Sequence, residues 1–320
     1  MAMNIETMLY LQEKGLLSSD KNRLLDIGPQ NVYFCTEEQV RKLVRQQGTK
    51  IPAEKLNQEA KRLAHFSTPR PDENTTLFSE ITDLAQIDYH AFDICPAPKT
   101  DIFDLNFDSL PQKHREQYDV VLNFGTTEHV FNQWNSFTVI HDATKVGGVI
   151  YCILPITGYL DHGYYCYTPL FFKEMSEANE YQILDLFIAP GGGINSIKNN
   201  GLDVRAEGNF LIPNSANLSP GTDMIPSYNI HAVMRKTKRG RFRCGMEVAT
   251  AHSRVDPEIA ALYSSDERTI VQLRAELDRS QRELDETRDQ LQQIVVSRSW
   301  RITALLRKLV TTMRGKAGGD

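Results

Sequence analysis

From residue 23 to residue 235 the chain alternates short apolar runs with longer stretches of helical periodicity, and few folds accommodate that pattern. A run of five to seven mostly apolar residues is a strand with both faces covered. A helical stretch between two such runs returns the chain to the same end of the sheet, so successive strands lie parallel under helices on both faces. Strands are expected at 23–27, 89–94, 100–103, 118–123, 149–154, 182–188 and 229–234. Helices are expected at 37–47, 53–65, 76–86, 132–144 and 169–178. The fold class is therefore α/β, a doubly wound, seven-stranded, mostly parallel sheet. Two loops interrupt it: 67–74, with Pro69 and Pro71, and 190–226, with Gly191, Gly192 and Gly193, whose length suits a lid or binding loop.

Composition narrows the function. With 36 Lys+Arg against 41 Asp+Glu, the net charge of −5 argues against a protein built to grip nucleic acid. The five cysteines are scattered, without the paired spacing of a disulfide framework or zinc finger, so a reducing, cytoplasmic setting is expected and no metal site. The first residues lack the basic-then-apolar pattern of a secretion signal, and no apolar run is long enough to span a bilayer.

The chain changes character beyond residue 235. Six of the nine residues 235–243 are basic, as in a solvated linker. Ile270, Leu277, Leu284 and Leu291 then recur every seven residues, with Leu273 and Ile294 between them, which predicts a short coiled coil or a lone solvated helix. Residues 297–320 hold six basic side chains against Asp320 alone. The expected organisation is a body over 1–240, a linker over 241–263, a coiled coil over 264–296 and a basic amphipathic tail over 297–320.

Chemistry-bearing residues gather at the predicted strand ends. Leu24-Leu25-Asp26-Ile27-Gly28 closes the first strand with an acid and a glycine, and Gln30 follows. In an open parallel sheet, ligands sit beyond the carboxyl ends of the strands, and a glycine there lets backbone approach the ligand. Asp93 closes the second strand, where a carboxylate can accept from ribose hydroxyls. Asp104 follows the third, where it can accept from an exocyclic amine. The G-x-G-x-x-G dinucleotide fingerprint is missing, which disfavours a nicotinamide-dependent oxidoreductase.

In this order the residues resemble the class I S-adenosylmethionine-dependent methyltransferases. Asp26-Ile27-Gly28 is similar to that family's first motif, Asp93 to its ribose-binding acid and Asp104 to its adenine-contacting acid. Asp119 to Val130, with Asn123, Gly125, Glu128 and His129, is similar to its fourth-strand motif, and Gly147-Gly148-Val149 to the turn before its fifth strand. The resemblance implies a Rossmann-like fold, S-adenosylmethionine as cofactor, and a donor site of Asp26, Gly28, Gln30, Asp93, Asp104, Asn123 and Gly125. Two departures stand out: Pro29, Gln30 and Asn31 occupy positions where the family carries glycines, and Asp93 follows Gly28 by 65 residues, which implies helices inserted before the second strand.

The acceptor would then meet the methyl group beside the fourth and fifth strands, near Asp161, His162, Tyr164 and Tyr165. For a hydroxyl acceptor a base is needed, and histidine suits that role. His162 is the first candidate, with His129 and Glu128 beside it, whereas His141 falls within a predicted helix and reads as structural. Tyr164, Tyr165, Tyr167, Phe171 and Phe172 could stack on a sugar, about half of them being core. The segment Ser297 to Leu309 resembles tails that follow coiled coils in bacterial polysaccharide glycosyltransferases and associated enzymes. That resemblance implies a glycan acceptor, self-association or a partner enzyme, and peripheral contact with an anionic membrane. A non-catalytic scaffold of the same fold is the alternative.

Overall fold

A computed structural model of the protein describes residues 2–32, 35–64, 76–159, 162–190, 202–203 and 227–246, with scattered positions between 256 and 303. The chain divides into two units, Met1–Val248 and Ala249–Asp320.

In the first unit the sheet strands are β1 (Arg23–Ile27), β2 (Asp88–Asp93), β3 (Thr100–Ile102), β4 (Tyr118–Phe124), β5 (Thr144–Thr157), β6 (Gln182–Pro190) and β7 (Tyr228–Arg235). Their spatial order is β3-β2-β1-β4-β5-β7-β6, with a two-residue strand, Leu202–Asp203, on the outer edge of β6. Strands β1 to β5 pair parallel, and β7 enters antiparallel between β5 and β6. This is the expected seven-stranded, mostly parallel, doubly wound Rossmann-like sheet. The strand order reverses at β1, which lies between β2 and β4, and a crevice opens where connections leave in opposite directions from such a pair.

The central strands are apolar on both faces because both are covered. In β4 only Asp119 is less than buried. One face carries helices α1 (Glu6–Glu13), α2 (Glu37–Gln46), α3 (Ala53–Leu63) and α4 (Phe78–Leu84), whose Met8, Leu43, Leu56 and Ile81 share a core with Leu24, Val120 and Tyr151. The other carries α5 (Gln133–Ala143) and α6 (Pro169–Ala178), packed through Phe137, Ile140 and Phe172 on Leu25, Val121 and Ile150. Helix starts follow side-chain chemistry: Thr36 and Gln39 form a reciprocal capping box on α2, and Thr168 caps α6 with Pro169 in its first turn.

Four features differ from the sequence expectation. Helix α1 has no capping side chain and spans two turns, so nothing in its local pattern announces it; Met8 and Leu11 hold it by burial. Thr76–Leu77 is a short strand beside Asn31–Val32, and α4 begins only at Phe78. Gly147 and Gly148 form no turn before β5 but lie within it, at an irregularity in its pairing with β4; a Cβ on Gly148 would sit 3.0 Å from the Tyr118 carbonyl. The basic stretch after β7 is partly folded against the body: buried Lys236 donates to the His141 and Thr144 carbonyls, and Arg239 pairs with Glu116 at 3.0 Å.

In the second unit, Arg282, Leu284 and residues 286–292 are helical, with Leu284 and Leu291 exposed. The rest of the predicted coiled coil, and the tail except Thr303, lie outside the described residues. Among the described residues, no helix is long and apolar enough to cross a membrane.

Candidate functional site

The crevice beyond β1, β2 and β4 is a cleft of about 260 Å3. Gly28 and Gln30 line it from the β1 side, Asp93 and Ile94 from the end of β2, Asp104 and Asn106 from the turn after β3, and Thr126 and His129 from the β4 loop. The loop after β1 is shaped around a close approach. Gly28 has φ +92, and a Cβ there would lie 2.4 Å from Thr126 Oγ1. Its N–H donates to the Phe92 carbonyl at 2.9 Å. Gln30 Nε2 then donates to the Gly28 carbonyl at 2.8 Å and the Phe124 carbonyl at 3.2 Å, tying the β1 loop to the end of β4.

The two acids at the far side are held by local turns. Asp93 Oδ1 accepts the Cys95 N–H, and Asp104 Oδ1 accepts the Asn106 N–H, each at 2.8 Å. Both carboxylates therefore stand at the rim with fixed orientation. Gln30 Oε1 and Thr126 Oγ1 are shut off from solvent without a hydrogen-bond partner.

Three residues expected in the donor site do not line the cleft. Asp26 is wholly buried and accepts from the Tyr89 hydroxyl at 3.0 Å, and burial holds its carboxyl well above the usual carboxylate range. It is a core acid beneath the loop. Asn123 is also buried and is occupied by Thr127, its Nδ2 donating to Thr127 Oγ1 at 2.8 Å. Gly125, at φ +70, donates to the Ile153 carbonyl and turns the chain out of β4. These residues shape the loops that carry Gly28 and Thr126.

Beside the cleft, Glu128, His129 and His162 come together. The Glu128 carbonyl accepts the Tyr164 N–H at 2.6 Å, and Gly163, at φ +78, passes so close that a Cβ would lie 2.9 Å from Glu128 Cγ. The loop after β5 is thereby pressed onto Glu128, and the His162 ring meets the His129 ring edge-on at 4.6 Å between centroids. His129 Nε2 is 4.0 Å from Glu128 Oε1. Burial pushes the Glu128 carboxyl up to about 7, and burial together with the neighbouring His162 lowers His129. A buried acid and two imidazoles thus stand together beside the cleft, which His129 lines. Their ligand atoms also lie within 4.8 Å of one another, as do those of His90, Asp101 and His114 elsewhere on the sheet. The sequence reading names Glu128, His129 and His162 together, whereas His90, Asp101 and His114 come from three separate elements and no spacing indicates them.

The aromatic candidates divide. Tyr164 is 70% exposed and meets exposed Phe131 edge-on. Tyr167 and Phe172 are buried, Tyr167 donating to Gln133 Oε1 at 2.6 Å. His141 is buried between the Tyr181 hydroxyl and the Gly240 carbonyl, as its place in a helix suggested. Asp161 lies outside the described residues. Sequence reasoning missed Thr126, Phe131 and Ile94; only the 66% exposure of an isoleucine at the cleft mouth distinguishes Ile94 from core.

No family model and no curated protein matches the chain. Among solved structures, it is similar to a SAM dependent methyltransferase from Archaeoglobus fulgidus at 12% identity, over 71% of this chain and 93% of that one, with a TM-score of 0.36. The StiE O-MT is similar at 11% identity over 74% and 75%, with a TM-score of 0.33. The 16S rRNA (adenine(1408)-N(1))-methyltransferase from Catenulisporales acidiphilia is similar at 10% identity over 74% and 95%, with a TM-score of 0.31. At these identities and scores the likenesses carry no argument of their own, and the fold assignment rests on the strand order.

Proposed function

We propose that this protein is an S-adenosylmethionine-dependent methyltransferase acting on a hydroxyl acceptor. The observation that carries this is the cleft at the strand-order reversal, where Asp93 and Asp104 stand at the rim and Gly28, at φ +92, presents backbone without a side chain. Asp93 would accept from the ribose hydroxyls, Asp104 from the adenine amine, and the Gly28 loop would admit the remainder without a side chain in the way. The bound donor supplies an electrophilic methyl group on a sulfonium. The chain's own residues align the acceptor and take its proton as the oxygen–carbon bond forms and the carbon–sulfur bond breaks. Exposed His162 is the base best placed to meet an acceptor, His129 the second, and Glu128 the buried group that answers their change of charge.

Tyr164 and Phe131 offer an exposed aromatic surface beside these histidines, which suits the apolar face of a sugar. Together with the tail's resemblance, this supports a glycan hydroxyl in surface-polysaccharide biosynthesis as the acceptor. The basic tail would bring the protein to an anionic membrane or a partner enzyme. A non-catalytic scaffold is the second reading, favoured by Gln30, whose amide fills part of the loop that glycines leave open in the resembled family.

Calorimetric titration with S-adenosylmethionine and S-adenosylhomocysteine tests the proposal. Binding in the micromolar range is expected, weakened by about 1 to 3 kcal/mol in Asp93→Ala, the usual range for a lost charged hydrogen-bonding group. Absence of binding to folded protein would refute the donor assignment. Binding without methyl transfer to any sugar acceptor would favour the scaffold.

A further inference from the structure

A second cluster of ligand-type side chains lies on the sheet edge, toward the amino-terminal end of β2. His90 precedes Asp93 by three residues, which places it about 10 Å back along the strand from the cleft rim. Asp101 projects from the neighbouring edge strand β3, in register with Phe92. His114 ends the short turn Gln112–His114 that leads into β4. The register of β2 with β3, and the return of the chain before β4, bring the three together.

We infer that His90, Asp101 and His114 form a binding site for a divalent zinc-type cation. Zinc binds imidazole nitrogen and carboxylate oxygen at about 2.0–2.2 Å, so the ligand atoms of a tetrahedral site stand about 3.3 Å apart. His90 Nε2 lies 3.3 Å from Asp101 Oδ2, and His114 Nε2 lies 3.1 Å from the same oxygen. All three ligand atoms fall within 4.8 Å of one another.

Two further observations favour a metal over a closed hydrogen-bond network. His90 Nε2 is sealed from solvent and makes no hydrogen bond, although it faces Asp101 Oδ2, which His114 Nε2 and Lys113 Nζ already engage; a cation in place of the lysine would give His90 a partner. His114 Nδ1 is engaged by the Tyr118 hydroxyl at 2.6 Å, the outer contact that orients a metal-binding imidazole and leaves its Nε2 aimed at Asp101. The Lys113 ammonium reaches Asp101 Oδ2 at 3.1 Å, so the position already attracts a cation, and its 68% exposed side chain is free to withdraw.

The donor set specifies the class of ion. Two imidazoles and one carboxylate suit zinc or cobalt, whereas magnesium and calcium prefer oxygen alone. Bound there, the ion would tie β2 and the turn before β4 to β3, a three-residue edge strand paired on one side only.

The test uses the full chain stripped of metal by a chelator, then titrated with Zn2+ against a chromophoric competitor and, separately, with Co2+ to read tetrahedral ligand-field absorption. Zinc uptake is expected, with at least tenfold weaker binding and loss of the cobalt spectrum in both His90→Ala and Asp101→Asn. A His129→Ala/His162→Ala double variant should keep both signals, and Mg2+ should not compete. Circular dichroism verifies each fold, and Asp101→Asn, which keeps size and shape, serves if His90→Ala does not fold. Failure of the wild-type chain to take up zinc, uptake unchanged in both edge variants, or loss confined to the His129/His162 variant would each overturn the assignment.

Discussion

Replacing Gly28 with alanine separates two costs that the loop beyond β1 combines. The first is conformational: at φ +92 an alanine meets the steric penalty of left-handed backbone, about 1 to 2 kcal/mol. The second is contact: the added Cβ would lie 2.4 Å from Thr126 Oγ1, with Thr126 Cγ2 already at 3.2 Å and its Cβ at 3.4 Å, so rotating the threonine leaves little slack. Overpacking of that kind costs about 1 to 3 kcal/mol, and the two together come to about 2 to 5 kcal/mol. Gly15 supplies the control, because its φ is +65 but nothing lies within 4 Å of its Cβ position, so Gly15→Ala should lose the conformational part alone. Adding Thr126→Ala to Gly28→Ala removes the contact and should restore about 1 to 3 kcal/mol, read as the coupling energy of a double-mutant cycle. Urea unfolding of wild type, Gly15→Ala, Gly28→Ala, Thr126→Ala and the Gly28→Ala/Thr126→Ala double variant measures this. If Gly28→Ala is no more destabilising than Gly15→Ala, or the double variant shows no coupling, the close approach of the β1 and β4 loops is not as described.

Three further outcomes are expected. Glu128, held at about 7 against an ordinary value near 4.5, binds its proton more tightly in the folded state, so its contribution to stability falls as pH rises through that window. Glu128→Gln should flatten that slope and exceed wild type at pH 8, by up to about 3 kcal/mol, in urea titrations at several pH values. His141 and His231 are pushed down to about 4 and about 3 by burial, so protonation favours the unfolded chain and their contribution to stability falls as pH drops below 6.5, opposite in sign to that of Glu128; thermal melts from pH 6.5 to 4 should show a shallower acid loss in His231→Phe than in wild type, and an unchanged slope would contradict its burial. Removing residues 264–320 should alter sedimentation or recovery with anionic vesicles and leave donor affinity unchanged in calorimetry, since the cleft belongs wholly to the first unit.

The strands were readable because burial on both faces imposes a local composition. Residues 23–27 and 169–178 match the observed β1 and α6 at both ends, since Gly28 stops the one and a Thr-Pro cap starts the other. The acids at the strand ends were readable for a related reason: a polar residue closing an apolar run falls at the carboxyl edge of a parallel sheet wherever the chain turns next. Hence Asp93 and Asp104 were placed beside the cleft without coordinates. Asp26 has the same local signature, yet its carboxyl is buried against the Tyr89 hydroxyl, because the direction of a side chain at a strand end depends on what packs over it. Helix α1 lacked a local signal altogether, and its place comes from apolar contacts with residues far along the chain. Composition and periodicity thus determined which segments are strands and helices, and so the layered sheet and the edge at which a ligand would sit. Only the tertiary structure decided that Thr126 crowds Gly28, that Gly163 lets His162 reach His129, and that His90, Asp101 and His114 meet at one point. Each of these depends on strand register and loop path, which are set by packing between residues distant in sequence, and no local pattern records that distance.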